Sequence, residues 1–121
     1  LALCTSATSP TKAINTFSEL TEIAAGNGYT TGGSSLTAAT NFTVTEVDGS
    51  VGAKVVIDDV TWTASGGNLP ASGDGARWAV LLDGAVSGSN VLAYFDLVSD
   101  RTVSDTQTLT IQAAEIDANE P

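Results

Sequence analysis

The chain contains no histidine and no methionine, a single cysteine, and only four basic residues against 14 acidic ones. Without histidine, Ser-His-Asp and Cys-His nucleophile systems and imidazole metal sites are excluded. With Cys4 alone, neither an intramolecular disulfide nor a thiolate zinc cluster can form. The four cations, Lys12, Lys54, Arg77 and Arg101, are scattered through a chain of net charge -10, which repels a phosphate backbone. Direct nucleic-acid binding is therefore not expected. Apolar runs reach only about seven residues, against about 20 for a membrane helix, so no membrane partner is expected either.

What is present is small and polar. Of 121 residues, 29 are Ser or Thr and 12 are Gly, while only 15% are charged. Long charged side chains favour surface helices, and their scarcity points to β structure. The length suits one domain over residues 1–121 that buries roughly 65% of its unfolded surface. Leu1-Ala2-Leu3-Cys4 reads as a first strand with Cys4 as a small buried apolar group. The alternative is the end of a lipoprotein signal with Cys4 acylated, but such sites prefer a small residue where Leu3 stands. The absence of methionine leads us to expect a native start upstream of Leu1.

Thr16-Phe17-Ser18-Glu19 fits a capping box, and Phe17, Leu20 and Ala24 share a helical face, predicting a helix over 17–25 stopped by Gly26. From Leu36 the period changes to two. Leu36, Ala38, Phe42 and Val44 share one face of a strand, and Thr37, Asn41, Thr43 and Thr45 the other. Asp48-Gly49 signals a hairpin turn into a strand with Val51, Ala53, Val55 and Ile57. Val60, Trp62 and Ala64 follow in the opposite phase, which places a bulge or strand break at Asp58-Asp59. Residues 76–82 and 91–98 are nearly all apolar and read as central strands covered on both faces. Residues 106–113 alternate again, and 115–121 read as a polar surface tail. These seven strands predict an all-β domain, a small antiparallel β-sandwich or jelly-roll-like barrel with one short helix.

The candidate sites divide between chemistry and structure. Gly26-Asn27-Gly28-Tyr29-Thr30-Thr31-Gly32-Gly33 has the glycines of a phosphate loop. It lacks the preceding strand, the following helix and the lysine, so it reads as a tight turn with Tyr29 folded over it. Asp58 and Asp59 are adjacent on an extended chain and face opposite ways, which argues against a glycosidase pair, and no calcium loop is present. The acids therefore read as turn acceptors, with no catalytic residue, metal or cofactor expected. Trp62 and Trp78 lie in strands, where core packing competes with a carbohydrate platform and is preferred. Asn41-Phe42-Thr43 matches a glycosylation sequon, a pattern that chance alone supplies in a Thr-rich chain. The 65–75 loop holds one charge, Asp74, and two apolar groups, Leu69 and Pro70. With Asn68 these form the first candidate interaction surface, and Tyr29 in the 26–33 turn the second. The competing reading is that Leu69 folds back onto the protein's own core.

The segments "ALCTSATSP", "ELTEIAAGNGYTTGG", "VTWTASGGNLP", "ARWAVLLDG" and "VLAYFDL" in this order resemble a group of small structural proteins of tailed-bacteriophage virions. The likeness runs over most of the chain, with Gly-Tyr-Thr-Thr-Gly-Gly and Arg-Trp-Ala-Val its most specific parts. Arg77-Trp78 stands where the group has Arg-Tyr, and Ala93-Tyr94-Phe95-Asp96-Leu97 replaces a more aromatic version. The resemblance implies assembly without catalysis. It points to a protein that decorates or cements the capsid at the outer surface of the particle, as a homo-oligomer on the major capsid protein or other virion proteins. Alternatives are a tail or head-fibre component, a carbohydrate-binding module on a fibre, and a surface-filament subunit.

Overall fold

A computed structural model describes residues 1–46, 52–84, 86 and 88–119. The fold is all-β. Its strands are β1 (Ala2–Cys4), β2 (Phe42–Glu46), β3 (Gly52–Ile57), β4 (Val60–Thr63), β5 (Ala76–Leu82), β6 (Val91–Arg101), β7 (Thr108–Ile111) and β8 (Ala114–Asn119). They form three antiparallel sheets ordered β1-β5-β6, β2-β3-β8 and β4-β7. Among the described residues no helix is long and apolar enough to cross a membrane.

The second and third sheets continue one another. Ile57 pairs with Ala114 and Val60 with Ile111, so β3–β4 and β8–β7 keep one register across a break of two residues on each side. All four of those residues are buried. Inward residues three apart on both strands require the two chains to change phase at the same level, which bends the ribbon around the core. The Asp59 carboxylate accepts the Ala113 amide at 3.1 Å across the bend, and Ala113 takes a positive φ of 50°. The phase change expected at Asp58-Asp59 is thus a paired break, not a one-sided bulge. The Asp48-Gly49 turn lies outside the described residues.

One core joins all three sheets. Leu1, Leu3, Ala79 and Leu81 from the first sheet meet Ile57 and Ala114 from the second and Val60, Trp62 and Ile111 from the third. A second cluster covers the other face of the first sheet, where Phe17 and Leu20 close over Ala2, Cys4 and Val80. That double cover makes β5 the central strand its apolar run predicts.

Three local expectations are corrected. The helix over 17–25 is reduced to a 3-10 turn at Phe17–Glu19. The Glu19 carboxylate does accept from the Thr16 and Asn15 amides, at 2.8 and 2.9 Å, and these bonds hold it below the usual carboxylate range. Beyond Leu20, however, the chain pairs with β1: Ile23 N–H donates to Leu3 O at 3.0 Å and Thr5 N–H to Thr21 O at 2.8 Å. Strand pairing with a buried partner outcompetes a two-turn helix. The strand expected to run unbroken from Leu36 starts only at Phe42. Ala38–Asn41 makes a helical turn whose Asn41 side chain accepts the Thr37 amide at 2.8 Å. Finally, of the tail expected over 115–121, residues 115–119 do not trail on the surface but form β8 with Ala114 against β3, and 120–121 lie outside the described residues.

Candidate interaction surface

The two segments singled out from the sequence meet at one corner of the molecule. Gly26 and Tyr29 exchange both main-chain bonds, at 2.8 and 3.0 Å, around Asn27 (φ 51°) and Gly28 (φ 99°). Positive φ at both central residues defines the tight hairpin turn for which Asn-Gly is the strongest signal. A side chain on Gly28 would fall onto the Thr63 carbonyl oxygen. The Asn27 side-chain amide donates to Asn68 O at 2.8 Å, the Asn27 main-chain carbonyl accepts Ser65 N–H at 3.1 Å, and Asp105 accepts Gly66 N–H at 2.9 Å. Leu69 exchanges both main-chain bonds with Val103 at 2.9 Å.

This corner is filled by the chain itself. Leu69 is 0% exposed and Tyr29 3% exposed. Pro70 is buried, and Asn68 alone of the four candidates is exposed. The Tyr29 hydroxyl donates to Glu22 at 2.7 Å and accepts Leu3 N–H at 2.9 Å, while its ring lies 6.0 Å from that of Trp62. Burial above all raises the Tyr29 hydroxyl well over its ordinary value. Burial, then the Glu22 charge, pushes the Cys4 thiol up to about 12. Such a thiol is a protonated core group, unsuited to nucleophilic attack. The apolar residues that marked the 65–75 loop therefore serve the core, leaving Asn68 as its only outward candidate.

Several of the acids are spent on the backbone. Asp59 and Asp105 hold the amides named above, and Asp83 accepts Asn90 N–H at 2.7 Å. Asp58 receives the Asn41 side-chain amide at 3.3 Å. Among the described residues no group of three potential metal-binding side chains gathers.

The strand expected at 91–98 forms as β6, but its surroundings differ from the expectation. Its expected double cover is absent: inner Ala93, Phe95 and Leu97 alternate with outer Leu92 and Tyr94, which are 59% and 44% exposed. Among the described residues it is an edge strand with no sheet beyond it, and the second cluster stops at Trp78, Leu82 and Val91. The run of apolar letters concealed two different environments, one of them solvent.

An ion pair and an aromatic pair organise this outer face. Trp78 is half-buried, with its ring edge-on to Tyr94 at 6.0 Å and 86°. The Arg77 guanidinium lies 5.3 Å from the Trp78 ring centre and donates to Asp96 at 2.8 and 3.1 Å. Hydrogen bonds from Arg77 and from Val98 N–H hold the Asp96 carboxyl below its ordinary value. Past Asp96 the strand bulges: Trp78 pairs with Asp96 and Ala76 with Arg101. Within that bulge Val98 is 76% exposed at a φ of 70°. A β-branched residue in that region is strained, and exposing it to water gives no packing in return.

No family model, curated protein or solved structure matches the chain.

Proposed function

We propose that the chain is a non-enzymatic structural protein of a bacteriophage virion, which decorates or cements the outer surface of the capsid. Its partners in this reading are the major capsid protein or other virion proteins, on which it stands as a homo-oligomer. The observation that carries the reading is the apolar outer face of β6, where Leu92, Tyr94 and Val98 stand in solvent beside an edge strand. Large apolar residues grouped on one strand, where Val44 and Val86 are exposed singly elsewhere, favour contact with a protein neighbour. The likeness in segment order to small virion proteins agrees with that reading, and the structural employment of the acids is consistent with it.

A second reading, glycan binding on a fibre, draws on the same aromatics. Tyr94 is exposed and Trp78 half-buried, but the two rings stand at 86° and Arg77 occupies one of them. Perpendicular rings do not make the flat platform that a sugar face stacks on, so the assembly reading is preferred. Quantitative mass spectrometry of purified particles tests it. Copies in the hundreds per particle are expected for a capsid-lattice protein, and a handful would move the chain to the tail or a fibre. Absence from purified particles would reject the virion reading.

A further inference from the structure

Beside the exposed face of β6 runs an open seam. On one side is the β6 edge away from β5, and on the other the β7–β8 edge away from β4 and β3. Residues 15–17 cover the start of the β6 edge, with Phe17 N–H donating to Ser89 O and Val91 N–H to Asn15 O, both at 2.9 Å. The bulge ends the regular edge near Leu97, where Arg101 donates to Leu97 O at 3.1 Å. Between these limits residues 92–97 have no strand neighbour on the seam side among the described residues.

The seam opens onto the core. One groove of about 340 Å³ lies between Phe95, Leu97 and Ile111–Ala114, and another of about 510 Å³ between Leu97, Val103 and Leu109. Phe95, Leu97, Val103 and Leu109 pack on the main core but are only partly buried. Unpaired main chain beside successive apolar sockets is the recognition pattern of strand addition, in which backbone bonds supply affinity and alternate side chains fill the sockets.

Charge selects the occupant. Asp96 and Glu115 line the first groove and are ion-paired with Arg77 and Lys54 at 2.8 Å each, and Asp100 and Asp117 lie near those same two bases. Arg101 lines the second groove with its guanidinium turned onto Leu97 O, so the charge that bears on an incoming segment is that of the molecule as a whole. A second copy would bring another net charge of -10 to a chain that already carries -10, whereas a cationic segment is attracted to it. We propose that the seam between β6 and the β7–β8 edge accepts an extended, positively charged segment of another polypeptide. That segment adds a strand to β6 and seats alternate apolar side chains in the two grooves. The proposal rests on the assembly reading and names the kind of contact it uses.

The test uses the intact chain and a capped synthetic peptide, Lys-Val-Lys-Val-Thr-Val-Lys-Val-Lys. Two control peptides accompany it, one with Glu for every Lys and one N-methylated at two adjacent central amides, so that each edge loses a donor. Binding is followed by calorimetry and mapped by amide chemical shifts. The expected result is binding that perturbs residues 92–97 and 108–115 and weakens about tenfold or more with either control. Equal binding of the methylated peptide would show non-specific charge attraction and overturn the proposal, as would perturbation elsewhere or no binding. Sedimentation showing a dimer that protects the 92–97 amides would also overturn it, because the occupant would then be a second copy. None of these outcomes alters the copy number per particle, so failure here is distinguishable from failure of the virion reading.

Discussion

Leu69 is enclosed by the chain's own core, and its truncation measures how far the 65–75 loop belongs to the fold. Leu69→Ala should cost about 2–5 kcal/mol in urea unfolding, the range for a buried leucine that leaves a cavity. A change under about 0.5 kcal/mol, as at ordinary surface sites, would return Leu69 to the list of contact residues. Its burial could not be read from neighbours in sequence, since Val103, which clamps it, is remote along the chain. The Asn27-Gly28 turn was more legible, because its positive φ angles follow from residue type alone. Cys4 and Tyr29 lead to a pH dependence. Burial raises the folded thiol from 9.0 to about 12 and moves the hydroxyl of Tyr29 upward from 10.0. The unfolded chain gives up these protons first, so their contribution is complete below about pH 9 and is lost as pH rises toward the folded values. The urea midpoint should therefore fall between neutral pH and about pH 10.5, and Cys4→Ala should flatten the first part of the fall. An unchanged midpoint in the parent protein would contradict the buried, protonated state of both groups.

At the scale of elements, legibility followed how local each decision was. The strands near 42–46, 52–57, 60–63, 76–82 and 108–111 announce themselves through alternation or a bounded apolar run, and all of them form. The break at Asp58-Asp59 was legible from the phase of Ile57 and Val60. Its counterpart between Ile111 and Ala114 was concealed because the following residues were read as a tail. Ala114 and Ile116 do alternate with acids, but two small or medium apolar residues make a weak signal, and only pairing with β3 gives it meaning. The helix over 17–25 failed for the same reason in reverse: a sound local cap lost to non-local pairing with β1. These readings give β8 a structural role that can be measured. A chain ending at Ala113 loses buried Ala114 and half-buried Ile116 and uncovers Ile57. It should be less stable by at least about 2 kcal/mol, with a smaller urea slope because less surface is buried. An unaltered midpoint and slope would show that β8 lies outside the cooperative unit.

For the whole molecule, the balance of charge and apolar surface decides where contact is made. A net charge of -10 on 121 residues opposes casual self-association and gives the domain a repulsive exterior over most of its area. Against that background Leu92, Tyr94 and Val98 form the outer row of β6, and apolar contact there costs little charge desolvation, because nearby Asp96 is already paired with Arg77. This site was not legible in the sequence, which shows an apolar run in β6 but not that the sheet ends there. The exposed row separates folding from function, since Leu92 and Val98 bury little in the isolated domain and Tyr94 contributes mainly its edge-on contact with Trp78. The double change Leu92→Ser and Tyr94→Ser should therefore cost no more than about 1.5 kcal/mol of unfolding free energy, the worth of the Tyr94–Trp78 edge contact plus an ordinary surface change. Loss of two interface residues should nevertheless weaken attachment to particles by roughly 2 kcal/mol or more, about a thirtyfold drop in affinity. Occupancy is read by titrating particles stripped of the protein with labelled parent or variant. Parent-like occupancy by a stable variant would remove β6 from the contact and redirect attention to the exposed Asn68 corner. A variant that loses stability along with binding would instead assign the two residues to the fold, and Leu92→Lys, which keeps an aliphatic stem at the same position, would then separate packing from recognition.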